Sequence, residues 1–294
     1  MNETKLDRRR KYYLVLDCET ATLPYASNYS GVAKKNIAIA KPLIYDLGWK
    51  IVDGKGNEYV RKSYLITEIF SVPAVFDTAY FKDKRPQYLE KLRKGEISLV
   101  SWAQATEELE KDLQAVVSCG AYNSMFDYKK AIPFTEKYIE MLYSPYYHEW
   151  ERKQNEICDR IANGEKMENQ QDFDPDNFVF RDNVYPLFCL WGLSCTYLLN
   201  NDDFREFAYE NNLTSASGKF FSTTAENTYR YIHNTMDFTE SHTAIEDADI
   251  ETEIFALIMK KAKRIENGII YFPFREVGKM EDYEVKRRIE RGWL

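Results

Sequence analysis

Two carboxylates stand two residues apart where an apolar segment ends, close to the start of the chain. Residues 12–17 have the sequence YYLVLD, a short apolar run of the kind that forms a buried strand. Because side chains alternate along a strand, Asp17 and Glu19 should point to the same face. Such neighbouring charges repel each other unless a cation lies between them, and hard oxygen ligands suit Mg²⁺ or Mn²⁺. Two acids at the frayed edge of a strand are the alternative interpretation.

A third carboxylate lies on a helix face that should be apolar. The Ser/Thr-x-x-Glu pattern at residues 243–246 predicts that a helix begins at Thr243. Asp247 then shares one face with the apolar residues at 250, 254 and 257 or 258, where a lone charge is costly unless it is paired or binds a metal. His242 lies just outside the helix, and imidazole suits proton transfer near neutral pH. An ion pair would explain Asp247 equally well, and a lone histidine is commonly a surface residue.

A fourth carboxylate occupies a predicted strand-to-helix junction at residues 122–127, YNSMFD. Asn123 and Ser124 are favourable N-cap residues, so Asp127 falls in the first helical turn. The positive end of the helix dipole favours an anion there. An acid that only stabilises the helix start therefore remains an adequate explanation for this segment by itself.

Composition narrows the class of protein. With 294 residues, 44% hydrophobic and 30% charged, the chain is predicted to be globular, with length for one large domain or two small ones. Its net charge of −7 argues against a protein that coats nucleic acid by bulk charge, but not against an enzyme whose acids hold cations. Four local basic runs, such as residues 82–94, are interpreted as solvated surface.

The apolar runs and the cysteines of the sequence indicate where the protein is located and the state of its thiols. No apolar run approaches the length of a membrane helix, and residues 1–11 lack the apolar stretch of a signal peptide. Five cysteines without any CxxC pair indicate free thiols in a reducing compartment, and neither a zinc site nor a disulfide framework. We therefore expect a cytoplasmic protein.

The elements that must position these residues can be read coarsely from the hydrophobic pattern. Strands are predicted at 12–17, 43–53, 58–66 and 120–122, and helices at 105–117, 202–210, 224–233 and 244–264. Strands first, then alternating strands and helices, indicate an α/β or α+β domain. The very polar segment at about 143–183 is predicted to be a largely helical insertion, in which Trp150, Ile157 and Ile161 could line one face.

The acidic segments together resemble the DnaQ-like, or DEDDh, 3′–5′ exonuclease family. Its first motif, an apolar strand ending in Asp-x-Glu-Thr, is matched by LVLDCET at 14–20. Its second, Asn-x-x-Phe-Asp, is matched by NSMFD at 123–127, and its third, His-x-Ala-x-x-Asp-Ala, by HTAIEDA at 242–248. The family's second strand often carries Ile-x-x-Ile-Gly, which IYDLG at 44–48 resembles. Three motifs occur in the right order with every acidic position filled.

The resemblance implies a ribonuclease H-like α/β fold, a mixed five-stranded sheet flanked by helices. Residues 1–294 would form a single exonuclease domain, and the resemblance does not cover the insertion at about 143–183 or a C-terminal extension at about 266–294. Pro133 is a further departure, because it would break a helix continuing from Asp127 unless a new helix begins there.

The implied activity is divalent-metal-dependent hydrolysis of phosphodiester bonds at 3′ ends of single-stranded or frayed DNA or RNA. Asp17 would bridge two divalent cations, Mg²⁺ or Mn²⁺; Glu19 and Asp247 would complete the tighter site. Asp127 would hold its cation through water, and His242 would be the general base. Candidate substrate-binding residues are Thr20, Asn123 and Phe126.

Two other functions remain open at this point. The chain could be a nucleic-acid-binding or scaffold module that keeps the fold without turnover, or an endonuclease of the ribonuclease H type that makes internal cuts. The expected partner is nucleic acid and not a membrane, and a homodimer or a polymerase or repair partner is left open. DNA and RNA are not distinguished by any spacing in the sequence.

Overall fold

A seven-stranded mixed sheet forms the centre of the computed structural model, which describes residues 6–7, 9–165 and 174–290. The strands are β1 (Tyr12–Ala21), β2 (Leu43–Asp53), β3 (Glu58–Ile66), β4 (Ser98–Val100), β5 (Ser118–Ala121), β6 (Asn177–Phe180) and β7 (Asn183–Cys189). Their order is β4-β3-β2-β1-β5-β7-β6. β1, β2 and β3 are antiparallel neighbours, whereas β5 is parallel to both β1 and β7.

Helices flank this sheet. They are α1 (Gly31–Ala40), α2 (Thr67–Phe70), α3 (Pro73–Phe76), α4 (Arg85–Lys94), α5 (Trp102–Leu113), α6 (Ser124–Phe126), α7 (Ile132–Leu142), α8 (Tyr147–Ala162), α9 (Leu190–Ser194), α10 (Asp202–Glu210), α11 (Ala225–Ile232), α12 (Ala244–Ala262), α13 (Phe274–Val277) and α14 (Met280–Glu290). None of the helices in the described ranges combines the length and the apolar character needed to cross a bilayer.

The expected α/β class is confirmed, but the predicted count of five strands is wrong. β4 has only three residues and no alternating pattern, so it carries little sequence signal. β6 lies within the segment that was predicted to be a helical insertion, and it pairs antiparallel with β7 at the edge of the sheet. Both additional strands extend the sheet at its two edges.

β1 is the structural centre of the sheet and divides the core into two clusters. Leu14 and Leu16 belong to one hydrophobic cluster, and Tyr13 and Val15 to the other. This alternation follows from the two-residue period of a strand that is covered on both faces. β1 extends to Ala21, four residues beyond the predicted end, so both of its acids lie within the strand.

The other predicted elements are confirmed: β2, β3 and α10 have the predicted bounds, and the rest have shifted ends. α5 begins at Trp102, three residues before the prediction, because Ser101 and Gln104 form a reciprocal capping box. α11 is capped by the hydroxyl of Thr224, which accepts a hydrogen bond from the Asn227 amide. α12 begins directly after Thr243, as predicted.

The polar segment at about 143–183 is only partly the helix that was predicted. α8 is present, and it buries Cys158 and Ile161. β6, however, makes the end of the same segment part of the sheet. Residues 166–173, which belong to the predicted insertion, lie outside the described residues.

The described part of the C-terminal extension, residues 266–290, also packs on the main structure. The Gly268 amide donates to the Leu187 carbonyl of β7 at 2.7 Å, and Val277 at the end of α13 is fully buried. This segment therefore contributes to the second hydrophobic cluster and does not project from it.

Pro133 is accommodated as the sequence suggested. A π-helical turn, Asp127–Ala131, follows α6, and α7 then begins at Ile132 with the proline in its first turn. A proline is tolerated there because the amide nitrogen at that position needs no intrahelical acceptor. The geometry after Asp127 is consequently a widened turn between two helical segments.

Candidate functional site

A cleft of about 630 Å³ opens where the carboxyl ends of two central strands meet the first turns of α12. Because β1 and β5 are parallel neighbours, the acids late in β1 and the junction after β5 lie at the same edge of the sheet. All five residues predicted to form the centre of the site line this cleft, namely Asp17, Glu19, Asp127, His242 and Asp247. Three distant segments of the chain are thus brought to one place.

The acids of β1 lie where the strand is paired with β2, which accompanies it as far as Ala21. Asp17 lies opposite Gly48 of β2, whereas the pairing of β1 with β5 on its other side ends at Val15. Both acids therefore lie within the paired length of β1 and not at a frayed end. The pairing with β2 shifts register between Glu19 and Thr20, and Thr20 does not line the cleft. Asn123 and Phe126, the other two candidate substrate-binding residues, do line it.

Gly48 allows α12 to begin beside Asp17. A Cβ atom at this position would lie 2.5 Å from the Ile245 amide nitrogen and 2.7 Å from the Ala244 carbonyl carbon. The side chain of Asp46 on the same strand accepts a hydrogen bond from the Ala244 amide at 2.9 Å. One free amide at the helix start is thus satisfied by a buried carboxylate of β2, which the dipole of α12 also favours.

His242 precedes α12 in a left-handed backbone conformation, with φ of 50°. Its ring stacks on Phe81, with the ring centroids 4.0 Å apart and the planes 14° from parallel. One ligand atom from each of Glu19, His242 and Asp247 lies within 4.8 Å of the other two. The imidazole is therefore close enough either to act on a bound water or to contact a cation itself.

Basic side chains from the segment around α4 hold the loop that carries His242. Lys84 donates to the Ser241 carbonyl, and Lys91 pairs with Glu246 at 2.7 Å. Tyr88 donates to Asp46 at 2.9 Å from within the core. The interpretation of residues 82–94 as solvated surface is wrong for Lys84 and Lys91, because tertiary packing gives both lysines specific partners.

Asp127 is 3% exposed and faces β1 from the start of the π-helical turn. Its Oδ1 accepts a hydrogen bond from the Cys18 thiol at 3.1 Å. Burial raises the pKa of that thiol, so Cys18 remains a protonated donor at neutral pH. Cys18 was seen in the sequence only as a free thiol, and its spacing gives no signal of this role.

The electrostatics of the cleft oppose ionisation of its carboxyl groups. Burial, followed by the charges of Glu240 and Asp46, raises the pKa of Asp247 to about 8. Burial likewise raises the pKa of Asp127 to about 7. The pKa of Asp17 is raised by burial and then by four neighbouring carboxylates, of which Glu251 has the largest effect. A bound cation would offset this repulsion, since an opposite charge nearby favours the ionised form.

Among the described residues, no lysine or arginine pairs with Asp247 to explain its burial. Its carboxyl group hydrogen-bonds with the His242 backbone and accepts from the Ser241 hydroxyl at 3.5 Å. Lys84 lowers the pKa of Asp247 through its charge, but burial outweighs that effect. The alternative of a buried ion pair is therefore not found among the described residues.

Two further acids line the cleft without having been predicted. Glu240 lies two residues before His242, and Glu251 lies one helical turn after Asp247 on α12. The i, i+4 spacing of Asp247 and Glu251 was a usable signal, because residues so spaced share a helix face. Glu240 lies in an irregular loop, for which no periodicity predicts the direction of a side chain.

An aromatic wall of the cleft is formed by Trp191, Phe220 and Phe274, none of which belongs to the three motifs. Trp191 and Phe274 stack with their centroids 6.0 Å apart, and Phe220 meets Phe274 edge-on at 4.8 Å. The Trp191 indole nitrogen donates to the Thr223 hydroxyl at 2.8 Å, which fixes the orientation of the ring. All three rings line the cleft, so its surface combines acidic and aromatic side chains.

No protein-family model matches this sequence, and a search among curated proteins finds no match either. The resemblance to DnaQ-like exonucleases therefore stands on the three motifs and on the residues that meet in the cleft.

Proposed function

We propose that this chain is a divalent-metal-dependent 3′–5′ exonuclease with a ribonuclease H-like fold. The observation that carries the proposal is the meeting of Asp17, Glu19, Asp127, His242 and Asp247 in one cleft, from three separate segments. The mixed α/β sheet flanked by helices is compatible with that fold. Buried carboxylates without cationic partners are otherwise costly, so the donor set fits divalent cations.

The residues of the cleft would have two roles, to hold metal ions and to accept a proton. When bound, a pair of divalent cations would stabilise the charge on the attacking and leaving oxygens of the phosphodiester. The side chains that would hold those cations are Asp17, Glu19, Asp127 and Asp247. Burial, and then the charge of Lys84, lowers the pKa of His242, so its ring is neutral near pH 7 and able to accept a proton from water.

The aromatic wall supports a substrate end that is single-stranded or frayed. Bases must be unpaired before their faces can stack on Trp191, Phe220 or Phe274, and such stacking contributes about 1–3 kcal/mol per base. Phe126 and Asn123 also line the cleft and remain candidates for contacts with the terminal nucleotide.

The test is digestion of 5′-labelled single-stranded DNA and RNA of the same sequence with Mg²⁺ or Mn²⁺, with and without chelator. We expect a ladder that shortens from the 3′ end, and its loss in Asp17→Asn. Asp249→Asn is the matched control, since Asp249 lies on α12 but pairs outside the cleft with Lys50 and Arg61. Equal activity of wild type and Asp17→Asn would refute the proposal.

The same assay separates the two other functions. Opening of a circular single-stranded substrate would identify an endonuclease, because an exonuclease needs an end. Binding of the labelled strand without cleavage under either cation would identify a nucleic-acid-binding module.

A further inference from the structure

Glu251 is a buried carboxylate that none of the three motifs assigns. It lies on α12 one turn after Asp247, on the same side of the helix, and its side chain reaches the cleft. Only 3% of the residue is exposed. The third motif ends at Ala248, so the resemblance carries no expectation for this position.

One oxygen of Glu251 has no hydrogen-bond partner in the part of the chain that the structure describes. Oε2 is fully buried and accepts no hydrogen bond from any described residue. The Tyr122 backbone hydrogen-bonds with the carboxyl group, which leaves this second oxygen for another ligand. A buried carboxylate in this condition is costly, and such groups are normally paired or coordinate a metal.

The neighbours of Glu251 are acids of the cleft. Asp127 has the largest charge effect on Glu251, followed by Asp247 and Glu240, and Glu251 has the largest charge effect on Asp17. Asp247 also meets Glu19 and His242, with one ligand atom of each residue within 4.8 Å of the other two. Lys84 acts on Glu19 and Asp247, but it is not among the main influences on Asp17, Asp127 or Glu251. A cation beside Asp17, Asp127 and Glu251 would therefore offset a repulsion that Lys84 does not offset.

We propose that Glu251 is an additional metal ligand, which holds the second divalent cation together with Asp17 and Asp127. The inference rests on the proposed two-cation site and adds a fifth carboxylate to it. It predicts that the second cation binds tightly in this protein, because three carboxylates instead of two surround it. The orphan oxygen of Glu251 supplies the direct contact.

The test is a calorimetric titration of chelator-treated full-length protein with Mn²⁺ in the absence of nucleic acid. Glu251→Gln keeps the size of the side chain and an oxygen that can accept from Tyr122, but it removes the charge. We expect the second equivalent of Mn²⁺ to bind about 10–100-fold more weakly, the range that even indirect metal contacts produce, while the first equivalent is unchanged. Glu253→Gln is the matched control, since Glu253 lies on the same helix and pairs with His233 at the surface.

A second variant and a thermal measurement guard against misfolding. Glu251→Asp keeps the charge but shortens the side chain and withdraws the carboxylate from the cation. It should therefore also weaken the binding of the second equivalent of Mn²⁺. The melting temperature of each metal-free variant should equal or exceed that of wild type, because a repulsive contact is lost or lengthened. Two equivalents bound by Glu251→Gln as tightly as by wild type would overturn this inference alone. Wild type that binds no Mn²⁺ would overturn the proposed function as well.

Discussion

His242 shows how one side chain can be placed by neighbours far away in the sequence. The imidazole stacks on Phe81, and the loop that carries it is tied to Lys84 through the Ser241 carbonyl. Both contacts come from the segment before α4, about 160 residues earlier in the chain. The ring consequently meets Glu19 and Asp247 in a defined position, although it lies outside any helix or strand.

We expect His242→Ala to lower kcat by about 10²–10⁴, the usual loss when a general base is removed. His148→Ala is the matched control, because the His148 side chain is 94% exposed on α8 and should be dispensable. Single-turnover cleavage of a labelled oligonucleotide at saturating Mg²⁺ measures the effect.

A Mn²⁺ titration of the same variant separates the two roles that the geometry allows. A general base can be removed without weakening Mn²⁺ binding, whereas removal of a ligand weakens it. A His242→Ala protein with full kcat would show that the proton is accepted elsewhere.

At the scale of elements, the contact between β2 and α12 decides whether the cleft forms. β2 is buried on both faces, and it offers α12 a flat position at Gly48 and a capping carboxylate at Asp46. Burial raises the pKa of Asp46 to about 6, while the hydrogen bonds from Ala244 and Tyr88 favour its ionised form. The IYDLG segment therefore has a physical reason for both its acid and its glycine.

Gly48→Ala should push the start of α12 away from β1. The new methyl group would meet backbone atoms of Ala244 and Ile245 at 2.5–2.8 Å, which cannot move without the helix. Overpacking of this kind costs about 1–3 kcal/mol, so thermal denaturation should show a melting temperature lower by about 2–4 °C per kcal/mol. The proposed nuclease activity should fall as well, because His242 and Asp247 move with the helix.

Gly54→Ala is the control for this prediction. Its Cβ would meet only the Cε atom of Met259, at 3.0 Å, at the flexible end of a side chain. A Gly48→Ala protein as stable and active as Gly54→Ala would show that the close approach of the helix is not required.

At the scale of the whole molecule, the cleft concentrates negative charge in a protein that already carries a net charge of −7. The pKa values of Asp127 and Asp247 are raised to about 7 and about 8, from an ordinary value of 3.8. The folded state therefore binds more protons than the unfolded state between about pH 4 and about pH 8, and stability falls as the pH rises through this range. The lowered pKa of His242 makes stability rise with pH, but this single group is outweighed by the several carboxyl groups whose pKa is raised.

We expect the melting temperature of the metal-free protein to be lower at about pH 8 than at about pH 5, at constant ionic strength. Mn²⁺ should raise it most at the higher pH, where the carboxylates are ionised and can bind. Asp247→Asn should reduce the pH dependence because one raised carboxyl group is gone. A metal-free melting temperature that rises steadily over the same range would contradict the buried acidic cluster.

The sequence by itself determined the elements and the residue types of the candidate site. The apolar runs of β1 and β2, the capping pattern at Thr243 and the apolar stripe of α12 are local signals, since each depends on residues within a few turns or pleats. Asp17, Glu19, Asp127, His242 and Asp247 were identified because they interrupt or flank these signals.

Only the tertiary structure decided which residues surround those five. Several features depend on contacts between distant segments of the chain. They are the edge strands β4 and β6, the lysines that hold the His242 loop, and the stacked rings of Trp191 and Phe274 in the aromatic wall. Thr20 follows a register shift and does not line the cleft, which no local pattern predicts. Periodicity specifies which face of an element is buried, but packing against other elements specifies what that face meets.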